Sequence, residues 1–166
     1  MRVLIVGGGA RGLELTRRLV SRGDAVRIVS RNESRRASIE QAGAEFLLGD
    51  PDRVGTLRYA CENVTALVWA LGTASGDDAA RVAALHGTRL EMMLERTIDT
   101  TVRAVVYEAA GTLPPEHFEH GRAVVERLCR KNEIPFAIVD TPPSDAEPWA
   151  ATVDAAISEL LTRARG

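Results

Sequence analysis

Three glycines carry the first chemical signal. The run Val3-Leu4-Ile5-Val6-Gly7-Gly8-Gly9-Ala10-Arg11-Gly12-Leu13-Glu14 sets Gly7, Gly9 and Gly12 in the spacing G-x-G-x-x-G. An apolar run of strand length precedes it, and a segment of helical period follows. In that setting each glycine has its own reason. Gly7 permits a tight turn. Gly9 lets the backbone approach a diphosphate with no Cβ in the way, beside Ala10 and Arg11. Gly12 lets the helix lie close to the strand. The first turn of the helix then offers free N–H groups and the positive end of its dipole to phosphate oxygens.

The second apolar run ends Val26-Arg27-Ile28-Val29-Ser30-Arg31-Asn32. A carboxylate at this strand end would accept from a ribose 2′-hydroxyl and repel a 2′-phosphate. Ser30 and Arg31 stand there instead, a hydroxyl and a guanidinium suited to bind that phosphate. Arg11 could reach the same group, and Arg35 and Arg36 add positive potential. The pattern favours NADP, with NAD as the alternative. After the third run, Asp50 can accept from an adenine amino group or cap the segment that follows. After the fourth, Leu71-Gly72 lets the backbone pass a cofactor, and Trp69 reads as core.

Candidates for acid–base work are few. Glu108 lies among Val105, Val106, Ala109 and Ala110, where a carboxylate needs a partner or solvent. It is the candidate general base, and Tyr107 beside it reads as core. His117 and His120 would share a helical face, but no third ligand accompanies them, so no metal site is expected. Cys61 and Cys129 fall on apolar stripes and read as buried and inert.

Elements of alternating type must position these residues. Strands are expected at Arg2–Val6, Ala25–Val29, Glu45–Leu48, Ala66–Leu71, Ala104–Tyr107 and Phe136–Val139. Most lack polar alternation, as strands buried on both faces should. Helices are expected over Gly12–Arg22, Glu33–Ala42 (closed by Gly43), Asp52–Cys61, Asp77–Thr97, Glu116–Arg130 and Pro148–Arg163. The β-α-β-α order predicts an α/β protein with a doubly wound parallel sheet. One domain over 1–166 is expected, its core within 1–140 and a single helix, about 148–163, closing it. A substrate pocket would have to come from the loops Gly72–Asp78, Gly111–Pro115 and Asp140–Trp149, or from a partner.

Composition narrows the classes further. Basic and acidic residues number 21 and 23, a formal charge of −2. That gives no bulk electrostatic case for nucleic acid or an anionic membrane. No apolar run approaches the roughly 20 residues that span a bilayer. The opening residues read as a buried strand, not a signal peptide. Two cysteines support no disulfide framework, so a reduced, cytoplasmic setting is the default. Only Lys131 is lysine, which limits the catalytic amines on offer.

Four segments together resemble the short-chain dehydrogenase/reductase superfamily, in its extended and atypical (NmrA-like) branches. They are the glycine loop; Leu48-Gly49-Asp50; His86-Gly87-Thr88-Arg89-Leu90 through Glu95; and Val102 through Gly111. The resemblance spans Met1 to about Val139. It implies a three-layer Rossmann fold of strand order 3-2-1-4-5-6, and a dinucleotide as ligand. The chain also departs from that family. Ala109 and Ala110 stand where the family's catalytic serine would be. The Tyr-x-x-x-Lys pair is absent, and Arg122 replaces the lysine that atypical members carry before the sixth strand. Arg122 could still touch the nicotinamide ribose, but its pKa is too high for a proton donor. Extended members carry G-x-x-G-x-x-G, whose first glycine is Val6 here. The implied function is a non-catalytic or weakly catalytic NADP(H) binder or redox sensor acting through a protein partner. The alternative is an NADP-dependent oxidoreductase or epimerase-like enzyme that acts on a small molecule with a non-standard proton donor. The helix around Leu90, Met93 and Leu94 serves either core burial or a homodimer contact.

Overall fold

The computed structural model describes residues 1–166. Strands β1 (Arg2–Gly7), β2 (Ala25–Ser30), β3 (Glu45–Leu48), β4 (Ala66–Ala70), β5 (Ala104–Glu108) and β6 (Phe136–Val139) form one sheet. Its order is β3-β2-β1-β4-β5-β6, and every pairing is parallel. The chain reverses direction across the sheet between β1 and β4, and this creates a crevice beyond the strands' carboxyl ends.

Both faces of the sheet are covered, which is why the strands are mostly apolar. Helix α1 (Gly9–Ser21), α2 (Arg36–Gln41) and α6 (Ala146–Arg165) cover one face. There Val3 and Ile5 of β1 join Leu15, Leu19, Ile39, Trp149, Val153 and Ile157. On the opposite face lie α3 (Ala79–Ala84), α4 (Thr88–Thr97) and α5 (Pro115–Lys131). Leu4 and Val6 meet Trp69, Leu90, Met93, Val125 and Leu128 there. Burying each such Val, Leu or Ile side chain is worth about 1.5–3 kcal/mol. Arg27 is the charged exception in β2. It pairs with Glu45 at 2.9 Å and donates to the Ala60 and Glu62 carbonyls, tying β2 to β3 and to the segment beyond.

Three expected helices are shortened or divided. The segment 52–61 forms only a 3₁₀ turn at Val54–Leu57. Thr56 Oγ donates toward the Asp50 and Arg53 carbonyls and accepts from the Asp50 N–H, so local side-chain bonds compete with a helical ladder. Residues 77–97 form two helices, because the chain leaves the helical path at Gly87 (ψ −109°). The Trp69 indole N–H donates to the Leu85 carbonyl at that break, replacing a lost helical partner. Residues 33–42 begin as a 3₁₀ turn over Glu33–Arg35, capped by Asn32, before α2. The final helix, longer than expected, packs along α1 and forms one section of the sheet's cover. No helix is long and apolar enough to cross a membrane.

Candidate functional site

The glycine loop joins β1 to α1 through three successive positive φ angles: 85° at Gly7, 95° at Gly8 and 53° at Gly9. Side-chain-bearing residues rarely adopt such a run. The Gly8 N–H donates to the Ala70 carbonyl, and helical bonding starts with Gly12 N–H to the Gly8 carbonyl. The first-turn amides of Gly9, Ala10 and Arg11 are thereby left without intrahelical partners. A Cβ on Gly9 would meet only Arg11 Nη1, at 3.7 Å, so an anion can approach that amide freely. The tightest approach in the loop falls on Gly7, where a Cβ would collide with the Ala70 carbonyl oxygen of β4. A Cβ on Gly12 would make only ordinary contact with the Gly7 carbonyl and Ile5, so the close helix–strand packing expected of Gly12 does not require a glycine there.

Beside this loop lies a cavity of about 490 Å³. Of the expected cofactor residues, Gly7, Ser30, Arg31, Asp50 and Leu71 line it. The Ser30 hydroxyl accepts from the Asn32 N–H, which fixes the loop after β2. Arg31 is exposed and donates to the Ser75 carbonyl at 3.1 Å, bridging that loop to the one after β4. Arg35 also lines the cavity. Arg36 does not: it pairs with Glu33 and Glu40 and lies over the Phe46 ring. Asp50 caps its own turn, accepting from the Asp52 N–H, while still facing the cavity. The stretch Ala74–Asp78 and Arg81 form the far wall. The loop 72–78, expected to contribute to a substrate pocket, thus walls the nucleotide-side cavity instead. Arg81 escaped sequence reasoning because 77–97 read as one helix; the break at Gly87 frees α3 to lie over this cavity.

Three other expected residues, Arg11, Glu108 and Gly72, form a second cluster. Arg11 is buried, and its side chain crosses the end of β4. Its Nη2 donates to the Ala70 carbonyl at 3.1 Å and to Glu108 Oε1 at 2.6 Å, and its Nε to Glu108 Oε2 at 2.7 Å. Its Nη1 reaches Thr73 Oγ at 3.3 Å. Trp149 of α6 lies against the guanidinium at 5.4 Å, and its own indole N–H has no partner. Glu108 is 1% exposed, and its Oε1 accepts from the Gly72 N–H at 2.7 Å. Arg11 therefore does not face the 2′-phosphate position, and Glu108 is not a free base: each is taken by the other. Gly72 is held against Ala110 and Gly111, where a Cβ on either glycine would collide with the opposing loop. Arg122 of α5 lies apart, 3.7 Å from Asp140.

A third arrangement went unread in the sequence. Tyr107 and His86 are fully buried on the α5 face, 2.6 Å apart at Oη and Nδ1. His86 Nε2 lies 3.2 Å from the Leu71 carbonyl. A carbonyl only accepts, so Nε2 carries the proton and the Tyr107 hydroxyl donates to Nδ1. Burial lowers the His86 pKa to about 4; the Leu71 carbonyl opposes this and His117 adds to it. Burial also holds the Tyr107 hydroxyl well above its ordinary range, with the Glu108 charge adding and Arg122 offsetting. The legible signal was Gly121, a small helical residue opposite a strand aromatic. Cys61 and Cys129 are raised by burial to about 11 and about 12, so both thiols stay protonated.

A six-stranded parallel sheet with a glycine loop at its switch point defines a Rossmann-type nucleotide-binding domain. Residues 7–131 match the NAD(P)H-binding family, and the chain belongs to that family. No curated protein sequence matches it. Solved structures of similar fold include a protein from Bacillus halodurans assigned as an NAD-dependent epimerase/dehydratase. It has 16% identity and a TM-score of 0.70, over 86% of this chain and 70% of that one. A short-chain dehydrogenase/reductase superfamily protein from Agrobacterium tumefaciens with bound NAD has 18% identity and a TM-score of 0.67, over 83% and 48%. The triphenylmethane reductase of a Citrobacter species, complexed with NADP(H), has 18% identity and a TM-score of 0.60, over 83% and 48%. The chain thus shares the fold of these structures. The chain spans about half the length of most such structures.

Proposed function

We propose that this chain binds NADP(H) and does not turn it over. The observation that carries the second half is the Arg11–Glu108 pair, which occupies both oxygens of the one carboxylate at the end of β5. Ala109 and Ala110 offer no hydroxyl there, and the Tyr107 hydroxyl is buried and committed to His86. The preference for NADP over NAD is supported by Ser30, Arg31 and Arg35 on the cavity wall, with no carboxylate at the end of β2. In this reading the free amides of Gly9 and Ala10 hold the diphosphate, and Asp50 faces the adenine. The alternative reading, an oxidoreductase or epimerase-like enzyme, needs Glu108 to leave both Arg11 and the Gly72 N–H before it can take a proton.

Two measurements test this. Calorimetric titration should show NADPH binding tighter than NADH in the wild type. Arg31→Asp should remove that preference, with a loss of about 1.5–3 kcal/mol expected for a charge-assisted contact to phosphate. Equal binding of both cofactors, or an unchanged preference in the variant, overturns the NADP assignment. Steady oxidation of NADPH with a panel of carbonyl compounds, abolished by Glu108→Gln without loss of affinity, would establish the alternative.

A further inference from the structure

A doubly wound sheet provides two mononucleotide halves, one over β1-β2-β3 and one over β4-β5-β6, meeting at the switch point. In this chain the halves are built differently. The first, together with the loop and helix that follow β4, holds the cavity, whose lining residues all lie between Gly7 and Leu85. The rest of the second, at the ends of β4 and β5, is filled by the protein itself. The Arg11 side chain spans from α1 across the end of β4 to the last residue of β5, with both nitrogens of its fork on Glu108. The Gly72 N–H takes the remaining capacity of Oε1, and Trp149 closes the pair from α6. Above the pair, the loops after β4 and β5 are locked together: Thr112 N–H donates to the Gly72 carbonyl at 3.0 Å, and Gly72 and Gly111 lie in direct contact.

A ligand entering this second half would have to separate a buried, bidentate ion pair, leaving a charge without its partner. It would also have to pry open the loops after β4 and β5, whose backbones already touch. The cavity asks for no such rearrangement beyond releasing the exposed Arg31 from the Ser75 carbonyl. We infer that recognition is confined to the adenosine-diphosphate portion of the ligand, with the nicotinamide end left outside the protein. Such a site takes an adenine nucleotide bearing a diphosphate and a 2′-phosphate. It has no contact through which to distinguish an oxidised from a reduced nicotinamide. The inference rests on the nucleotide reading proposed above and removes redox sensing from it.

The test is a calorimetric series on the full wild-type chain with NADP+, NADPH, 2′-phospho-ADP-ribose and nicotinamide mononucleotide. The first three are expected to bind within about threefold of one another, and the mononucleotide to give no binding heat. Arg31→Asp should weaken the first three by the same factor. A loss greater than about threefold on removing the nicotinamide half, or a difference that large between NADP+ and NADPH, overturns the inference while leaving nucleotide binding intact. Binding of the mononucleotide alone overturns it equally. Binding by none of the four would instead overturn the nucleotide reading, and this inference with it.

Discussion

Arg11 and Glu108 lie 97 residues apart in the chain and meet at the end of β5. Their charges are sheltered from water, so each depends on the other. Removing one partner of such a pair typically costs about 3–5 kcal/mol, because the survivor remains buried and unpaired. Glu108→Ala should therefore lower unfolding stability by that amount in urea denaturation. The pair Arg11→Met with Glu108→Ala should be less damaging than the sum of the two single changes, which a double-mutant cycle reads directly. His86 supplies a second prediction at this scale. Its folded pKa of about 4 lies below the ordinary value of about 6.5, so the unfolded chain takes the proton first. The stability it contributes is complete above pH 6.5 and is lost as pH falls toward 4, by about 3 kcal/mol in total. Denaturation of the wild type and of His86→Gln across that window should show the two stabilities converging with acid.

At the scale of elements, close approaches govern more than propensity does. Gly121 sits inside α5, where alanine would ordinarily stabilise a helix by about 1 kcal/mol. Here a Cβ would collide with the hydroxyl and ring of Tyr107 on β5. Gly121→Ala should therefore destabilise, by about 1–3 kcal/mol, as overpacking does, and a thermal melt gives the sign. The break between α3 and α4 acts in the opposite direction. It turns His86 and Leu85 into the core and leaves Arg81 over the cavity. One helix through 77–97 would place these residues on a different face. The same logic explains 52–61, where Thr56 satisfies the backbone locally and the chain keeps only a 3₁₀ turn.

Across the whole molecule, a nucleotide site is produced by topology. The chain crosses from β3 to β4, and the crevice opens between the neighbouring strands β1 and β4; the glycine loop lies there because it directly follows β1. Strand identities, a parallel sheet and the glycine loop were legible in the residues, because runs buried on both faces and strand–glycine–helix punctuation are local signals; the strand order came from the family resemblance. That Ser30, Arg31 and Asp50 would lie together at one cavity was legible for the same reason: each directly follows, or ends, a recognisable strand. The partnership of Arg11 with Glu108 was not, since a separation of 97 residues leaves no trace in local pattern. Nor was the hydrogen bond between Tyr107 and His86, which joins a strand to a helix break that periodicity had smoothed over. The amino-acid order by itself determined the strands and the glycine loop between β1 and α1, because hydrophobic period and backbone freedom act over a few neighbours. Only the tertiary structure decided which charges remain available to a ligand, because long side chains find their partners in space.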